Sequence, residues 1–569
     1  MNFRIQTESF LKWSPALTLA LFLGFMACGK NLDYEFDLII ANGRVVDGSG
    51  SLWFPADVAI RGDEIIQVGK VINQEKRGRR IIDATGLTVT PGFVDIQSHS
   101  DFSLLVDGTA HSKVHQGITT EVLGEGSSAG PLQGKATLDL RGYKLEADWT
   151  TLGEYFDRLN AQGISVNVAS YVGAGQVRRC VLGEVVRNPS SAEMEQIKRL
   201  VTEAMRDGAL GLSSELSVFS DNYLTTSQMR ELVEVVKAYG GIYSTQIRDD
   251  GEGIQKAFKE SIRLVESLQL PTDIIQLKIA DRLFWGQMKN VIDLIEKSRK
   301  GNFVITANQL PYTAIQNDLR ALLPPWVRQD GKERMLERLG NAQLRGQMQK
   351  ELYEGVSGWF NHYLAIGNWE GIVVAGVNSD KNQVLVGRSV NRISIDSNKK
   401  PSDVVFDLLL EEGGVVPAIY HMMNEADVRY AMQVPWVSIG SNGTAVQING
   451  ILGQGRPHPS WYGTFPRVLG KYVREEQVLS LEEAVQKMTW MNAAKVGLKN
   501  RGLLQIGKKA DITIFSAERV RDRATFENPH QYAEGIEYVI VNGVLVIDGE
   551  RHLGTTPGKI LFGPGKSVK

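Results

Sequence analysis

Residues 90–101 read T-P-G-F-V-D-I-Q-S-H-S-D. A Pro-Gly turn leads into a short, mainly apolar run, Phe93-Val94-Asp95-Ile96, and then into Gln97-Ser98-His99. In a strand, residues i and i+2 point the same way. Gln97 and His99 are therefore predicted to aim together at whatever lies beyond the strand's C-terminal end.

Working outward, short apolar runs alternate with helical patterns. Residues 166–172, 210–213, 242–247, 274–279, 304–306 and 436–440 are predicted strands, while 191–207, 227–239 and 285–299 show helical spacing. Such alternation implies a parallel sheet. An α/β fold is expected; the resemblance of residues 90–101 to the first strand of the amidohydrolase superfamily barrel implies a (β/α)8 TIM-like barrel over residues 91–495, with chemistry at the C-terminal strand ends. Residues 322–370, richer in charge and helix, read as an insertion covering the barrel mouth. Residues 34–90 instead show strands and turns, among them Asn42-Gly43. Residues 510–515 and 538–547 repeat that texture, with Asn542-Gly543 a hairpin turn. The resemblance of residues 90–101 to that superfamily also implies one small β-sandwich built from both chain ends, 34–90 and 496–569, with which their matching texture agrees.

A chain of 569 residues is long enough for a barrel and an accessory domain. Its 43% hydrophobic and 22% charged residues suit a globular protein. A net charge of −2 gives no basis for a nucleic-acid partner. Two cysteines, Cys28 and Cys180, form no disulfide framework and no metal spacing. Cys180 reads as a buried, inert thiol.

Residues 1–28 read as a signal segment: Arg4 and Lys12 precede an uncharged, nearly all-apolar stretch from Trp13 to Ala27. That stretch suits a secretory signal better than a membrane span. Ala27-Cys28 resembles a bacterial lipobox, in which the cysteine is lipidated after cleavage. The expected location is the bacterial cell envelope, outside the cytoplasm, with the protein held to a membrane by a lipid on Cys28.

Residues 90–101 resemble the first barrel strand of the amidohydrolase superfamily, where P-G-F-[IV]-D-x-H-x-H supplies two histidines to a zinc site. Further stretches narrow the resemblance to the N-acyl-D-amino-acid deacylases (D-aminoacylases). They include Q-G-I-T-T-E-V-L-G-E-G (116–126), G-A-L-G-L-S-S (208–214), L-L-P-P-W (322–326), P-W-V-S-I-G-S-N-G (435–443) and Y-G-T-F-P-R-V-L-G-K-Y-V-R-E (462–475). The resemblance implies a zinc-activated water that attacks the acyl amide of an N-acyl-D-amino acid, with a carboxylate taking the proton.

Carried over position by position, the resemblance implies that His99 and Glu125 are retained metal-site residues. Gln97, Gln246 and Gln276 stand at family histidine positions, and Asn442 stands at the catalytic aspartate. A carboxamide oxygen is a weak zinc ligand beside imidazole, and an asparagine amide is no base near neutral pH. Lys278, Arg248 and Tyr312 are expected to contact the substrate, the two cations through its carboxylate; the other reading of both cations is a salt bridge at the barrel rim. The expected function is that of an amidohydrolase-family protein with impaired or lost catalysis. The other reading is a metal-free pseudoenzyme: a lipid-anchored protein that binds a carboxylate ligand, or a subunit of an envelope complex. His111 and His115, four apart, lack a third ligand, and His458 in P-H-P is expected to shape a turn.

Overall fold

The computed structural model describes residues 34–566 apart from 139, 186 and 218–223. Residues 1–28, including Cys28, lie outside the described residues. Among those described, no helix is long and apolar enough to cross a membrane.

Eight parallel barrel strands follow one another in chain order. The first three are Phe93–Asp95, Ile118–Leu123, and Asn167–Ser170 continued by Val172–Gly173. Gly211–Glu215, Ile242–Gln246, Thr272–Ile274, Ile305–Gln309 and Val437–Ile439 complete the set. Neighbours pair in parallel register, as in Asp95↔Glu121, Ser213↔Ser244 and Asn308↔Ser438. Closure comes just beyond the strand ends. His99 N donates to Gly443 O at 3.0 Å and Asn442 N to Gln97 O at 3.0 Å, which joins the first strand to the eighth. Pairing this way leaves no sheet edge to protect.

The outer helices form because their apolar residues recur at helical spacing and their ends are capped. Ser191–Asp207 begins with a capping box in which Ser190 accepts from Glu193 N, and it ends at Gly208 in the left-handed region. It buries Met194, Ile197, Val201, Ala204 and Met205 against the barrel.

The β-domain is one hydrogen-bonded, nine-stranded sheet drawn from both ends of the chain. Its N-terminal half meets its C-terminal half where Thr88–Pro91 runs antiparallel to Ile512–Phe515, with Val89 opposite Ile514. Leu38, Ile40, Val58, Ile60, Ile512, Ile514 and Ile540 share one core there.

The insertion is wider than residues 322–370. It starts at the strand Ala314–Asp318, which pairs with Pro417–His421, itself paired with Ile372–Val374. The helices between them carry a separate apolar core around Leu322, Met348, Val405, Phe406 and Tyr420. Its flanking strands span five residues or fewer, too few for a period to stand out in the sequence.

Candidate functional site

Gln97, His99, Glu125 and Asn442 meet at the C-terminal mouth of the barrel. Gln97 Nε2 donates to Glu125 Oε1 at 3.1 Å and to Asn442 Oδ1 at 3.2 Å. His99 Nε2 lies 2.6 Å from the same Asn442 Oδ1 and 3.6 Å from Glu125 Oε2. An amide oxygen only accepts, so the imidazole donates through Nε2. Glu125 is buried, and that burial pushes its carboxyl up to about 8 against the hydrogen bond from Gln97 and the charge of Lys278. The group is therefore protonated at neutral pH.

Gln246 and Gln276 line the same cavity, which measures about 380 Å³. Gln246 is the last residue of its strand, and its Nε2 donates to Asp250 Oδ2 at 3.1 Å. Gln276 follows a strand that ends at Ile274, and it has φ 52°. Its backbone N–H donates to Asn308 Oδ1 at 3.1 Å, while Asn308 Nδ2 donates to Asp273. Asn442 also lies in the left-handed region, at φ 47°. A left-handed conformation costs a non-glycine residue about 1–3 kcal/mol and persists where the surroundings over-determine it. Here it turns both amides toward the mouth.

The three residues expected to contact substrate are placed differently. Lys278 is buried, with Nζ 2.8 Å from Asp250 Oδ2. Arg248 turns to Glu260, at 2.9 Å, and to Leu224 O, and it does not line the cavity. The fifth strand ends at Gln246, so the alternation that would have aligned Arg248 with it stops there. Tyr312 lies behind the wall, with the Arg467 guanidinium 4.6 Å from its ring centroid and the His458 ring 4.9 Å away. His458 bonds Ala314 O and accepts from Ser460 N, which fixes the turn it occupies.

Other cavity residues carried no sequence signal. Glu215 and Asp250 follow or end barrel strands, and Phe360 and His362 come from the insertion. Burial lowers the His362 imidazole to about 3, so it is neutral. His111 and His115 face the β-domain, where both stack on Tyr532 and His552 is tilted against them.

Structural zinc takes four protein ligands and catalytic zinc three, drawn from imidazole, thiolate or carboxylate. Among the described residues no group of three or more His, Cys, Asp or Glu side chains is placed to hold a metal ion. Of the four side chains that meet at the mouth, Gln97, His99, Glu125 and Asn442, two are of the right kind: His99 and Glu125. His99 Nε2 is engaged as a donor to Asn442, and Gln97 turns an N–H toward Glu125. Glu125 Oε2 and Gln97 Oε1 are buried without a hydrogen-bond partner. A proton on the carboxyl suits that first oxygen, and two isolated acceptors do not make a zinc site. The side chains present do not fit the ion.

An eight-stranded barrel joined to a β-domain built from both chain ends, with polar side chains at the strand tips, is the architecture of the amidohydrolase family. The amidohydrolase family model accordingly matches residues 452–547. The D-aminoacylase of Alcaligenes xylosoxydans xylosoxydans is 32% identical over 530 residues, covering 92% of this chain and 97% of that relative. A solved D-aminoacylase, described with a binuclear metal center, one-metal activation and second-metal attenuation, is 30% identical at TM-score 0.77. It covers 93% of this chain and 100% of its own. The N-acyl-D-glutamate deacylase of Bordetella bronchiseptica, solved with zinc and a phosphonate mimic of the tetrahedral intermediate, is 26% identical at TM-score 0.78, with the same coverage. The chain belongs to the D-aminoacylase family.

Proposed function

We propose that this family member binds a small ligand in its barrel mouth and has lost hydrolysis by metal-activated water. One observation carries the reading. The strand ends present Gln97, Gln246, Gln276 and Asn442, and the first and last of these are bonded to His99 and Glu125. Amide side chains neither ligate zinc firmly nor accept a proton from water.

Metal analysis with a turnover assay tests this. The purified protein is expected to carry well below one zinc per chain and to leave N-acetyl-D-amino acids uncleaved over hours. Stoichiometric zinc together with brisk turnover would sink the reading.

The N-terminal segment supports a place on the cell envelope through a lipid on Cys28. A Cys28→Ser variant of the full chain is expected to move from the membrane fraction to the soluble fraction and to lose incorporation of labelled fatty acid. Unchanged fractionation and labelling would remove the anchor from the proposal.

A further inference from the structure

We propose that the barrel mouth recognises an uncharged, hydroxyl-rich ligand of the saccharide class, and that Asp250 sets this specificity. The inference rests on the preceding reading of the cavity as a binding site.

Charge decides first. A carboxylate ligand needs a cation whose charge is available. Lys278 Nζ is 2.8 Å from Asp250 Oδ2, and both side chains are only 7% exposed. At the rim, Arg320 is bound to Asp318 at 2.8 Å. Arg248 is bound to Glu260, away from the cavity. Meanwhile Glu215, Asp250 and Asp318 all line the space. Asp250 and Asp318 are the partners in these same pairs, so an incoming carboxylate would have to compete with Asp250 for Lys278. Burying a charge without a partner is strongly unfavourable.

Hydrogen-bonding capacity decides next. The cavity is lined by five carboxamides: Gln246, Gln276, Gln316, Asn317 and Asn442. Each carries donors and an acceptor on one side chain, part of which the protein already uses: Asn442 Oδ1 accepts from Gln97, Gln246 Nε2 donates to Asp250, and Gln316 Oε1 and Asn317 Oδ1 accept from backbone N–H groups. That matches hydroxyl groups, which also do both. The acids beside them add acceptors. Trp461 and Phe360, both half-buried, contribute ring surface to the same wall. Such rings pack against the apolar C–H face of a sugar while the amides take its hydroxyls. Ligand sites combine apolar walls with a few placed polar groups in this way.

The pair Lys278–Asp250 also explains why Gln246 is where it is. Its Nε2 donates to Asp250 Oδ2, the oxygen that lies 2.8 Å from Lys278 Nζ. Removing the Asp250 charge should therefore convert the site from neutral to anion-binding.

Calorimetric titration of the full-length protein tests this with four probes: N-acetylglucosamine, a neutral disaccharide, N-acetyl-D-leucine and N-acetyl-D-leucinamide. A neutral saccharide is expected to bind saturably, with at least tenfold loss in Trp461→Ala and in Phe360→Ala. The N-acetyl-D-leucine carboxylate is expected to bind at least tenfold more weakly than the saccharide. Asp250→Asn should raise carboxylate affinity at least tenfold, and adding Lys278→Gln should abolish that gain. Circular dichroism of each variant checks that it is folded.

Tighter binding of the carboxylate than of its amide and of both saccharides, lost on Lys278→Gln, would overturn the inference. So would the absence of saturable binding by either saccharide up to about 10 mM, a Kd weaker than a site of this kind warrants. Zinc content and turnover measured on the same preparation separate this failure from failure of the preceding reading. Metal-free protein that prefers the carboxylate refutes only the ligand class, whereas zinc with turnover refutes the loss of catalysis.

Discussion

A variant carrying Gln97→His, Gln246→His, Gln276→His and Asn442→Asp is expected to hold close to one zinc per chain, with affinity at least about 10³-fold above that of the parent. The figure is conservative, because altering a group that merely supports a metal ligand already costs about 10–100-fold in affinity. Three direct imidazole ligands are restored at once. The backbone already aims the positions. Gln97 and His99 follow the first strand, which ends at Asp95, and both reach Asn442 Oδ1, while Gln246 ends the fifth. Gln276 is held at φ 52° by the bond from its N–H to Asn308. The change Asn442→Asp would put a carboxylate oxygen where the Asn442 amide oxygen now accepts from His99, at 2.6 Å, and would add a charge able to take a proton. Titration with a competing chelator reads the affinity, and hydrolysis of N-acetyl-D-amino acids reads the base. A folded variant that gains no stoichiometric zinc would show that these strand ends do not converge on one ion.

The elements that sequence reading found share a property: their signal is local. Ser191–Asp207 announces itself through period and cap, and the Pro91-Gly92 turn announces the first strand. Gln97, His99, Glu125 and Asn442 were legible because each sits in a motif at a strand end. What escaped depends on where the chain goes after a strand stops. Arg248 is two residues beyond Gln246, yet the strand ends between them and the arginine turns to Glu260. Lys278 stands two beyond Gln276, but the left-handed residue between strand and lysine resets the direction. Its partner Asp250 is far off in sequence, so nothing in either neighbourhood announces their pairing. Phe360 and His362 reach the cavity from an insertion whose flanking strands were too short to read.

Lys113→Met is expected to destabilise the protein by about 3–5 kcal/mol at neutral pH, the range seen when one partner of a buried ion pair is removed. Lys113 is fully buried on a one-turn helix, a place where the sequence gives no hint of its role. Its Nζ lies 2.7 Å from Asp95 Oδ2 and 3.5 Å from Glu121 Oε2, and it donates to Gly443 O at 2.8 Å. It also donates to Ser98 and Ser441 at 3.1 Å each. One ammonium thus ties the first, second and eighth strands together one layer beneath Gln97 and Asn442. Methionine leaves two buried acids without their cation. The loss should depend on pH in a definite direction. Burial already raises the Glu121 carboxyl, with Lys113 opposing, so the variant raises it further. An acid whose folded pKa exceeds its unfolded value, about 4.3, stabilises fully below that value and loses the contribution as pH rises. The deficit should therefore grow as pH rises above the ordinary carboxylate range, as read by urea titrations at an acidic and at an alkaline pH. A deficit equal at both ends would reduce Lys113 to a space-filling role. A deficit that grows would show why the mouth tolerates carboxamides at four positions: the charge that fastens the strand tips lies below them and does not pass through the residues that changed.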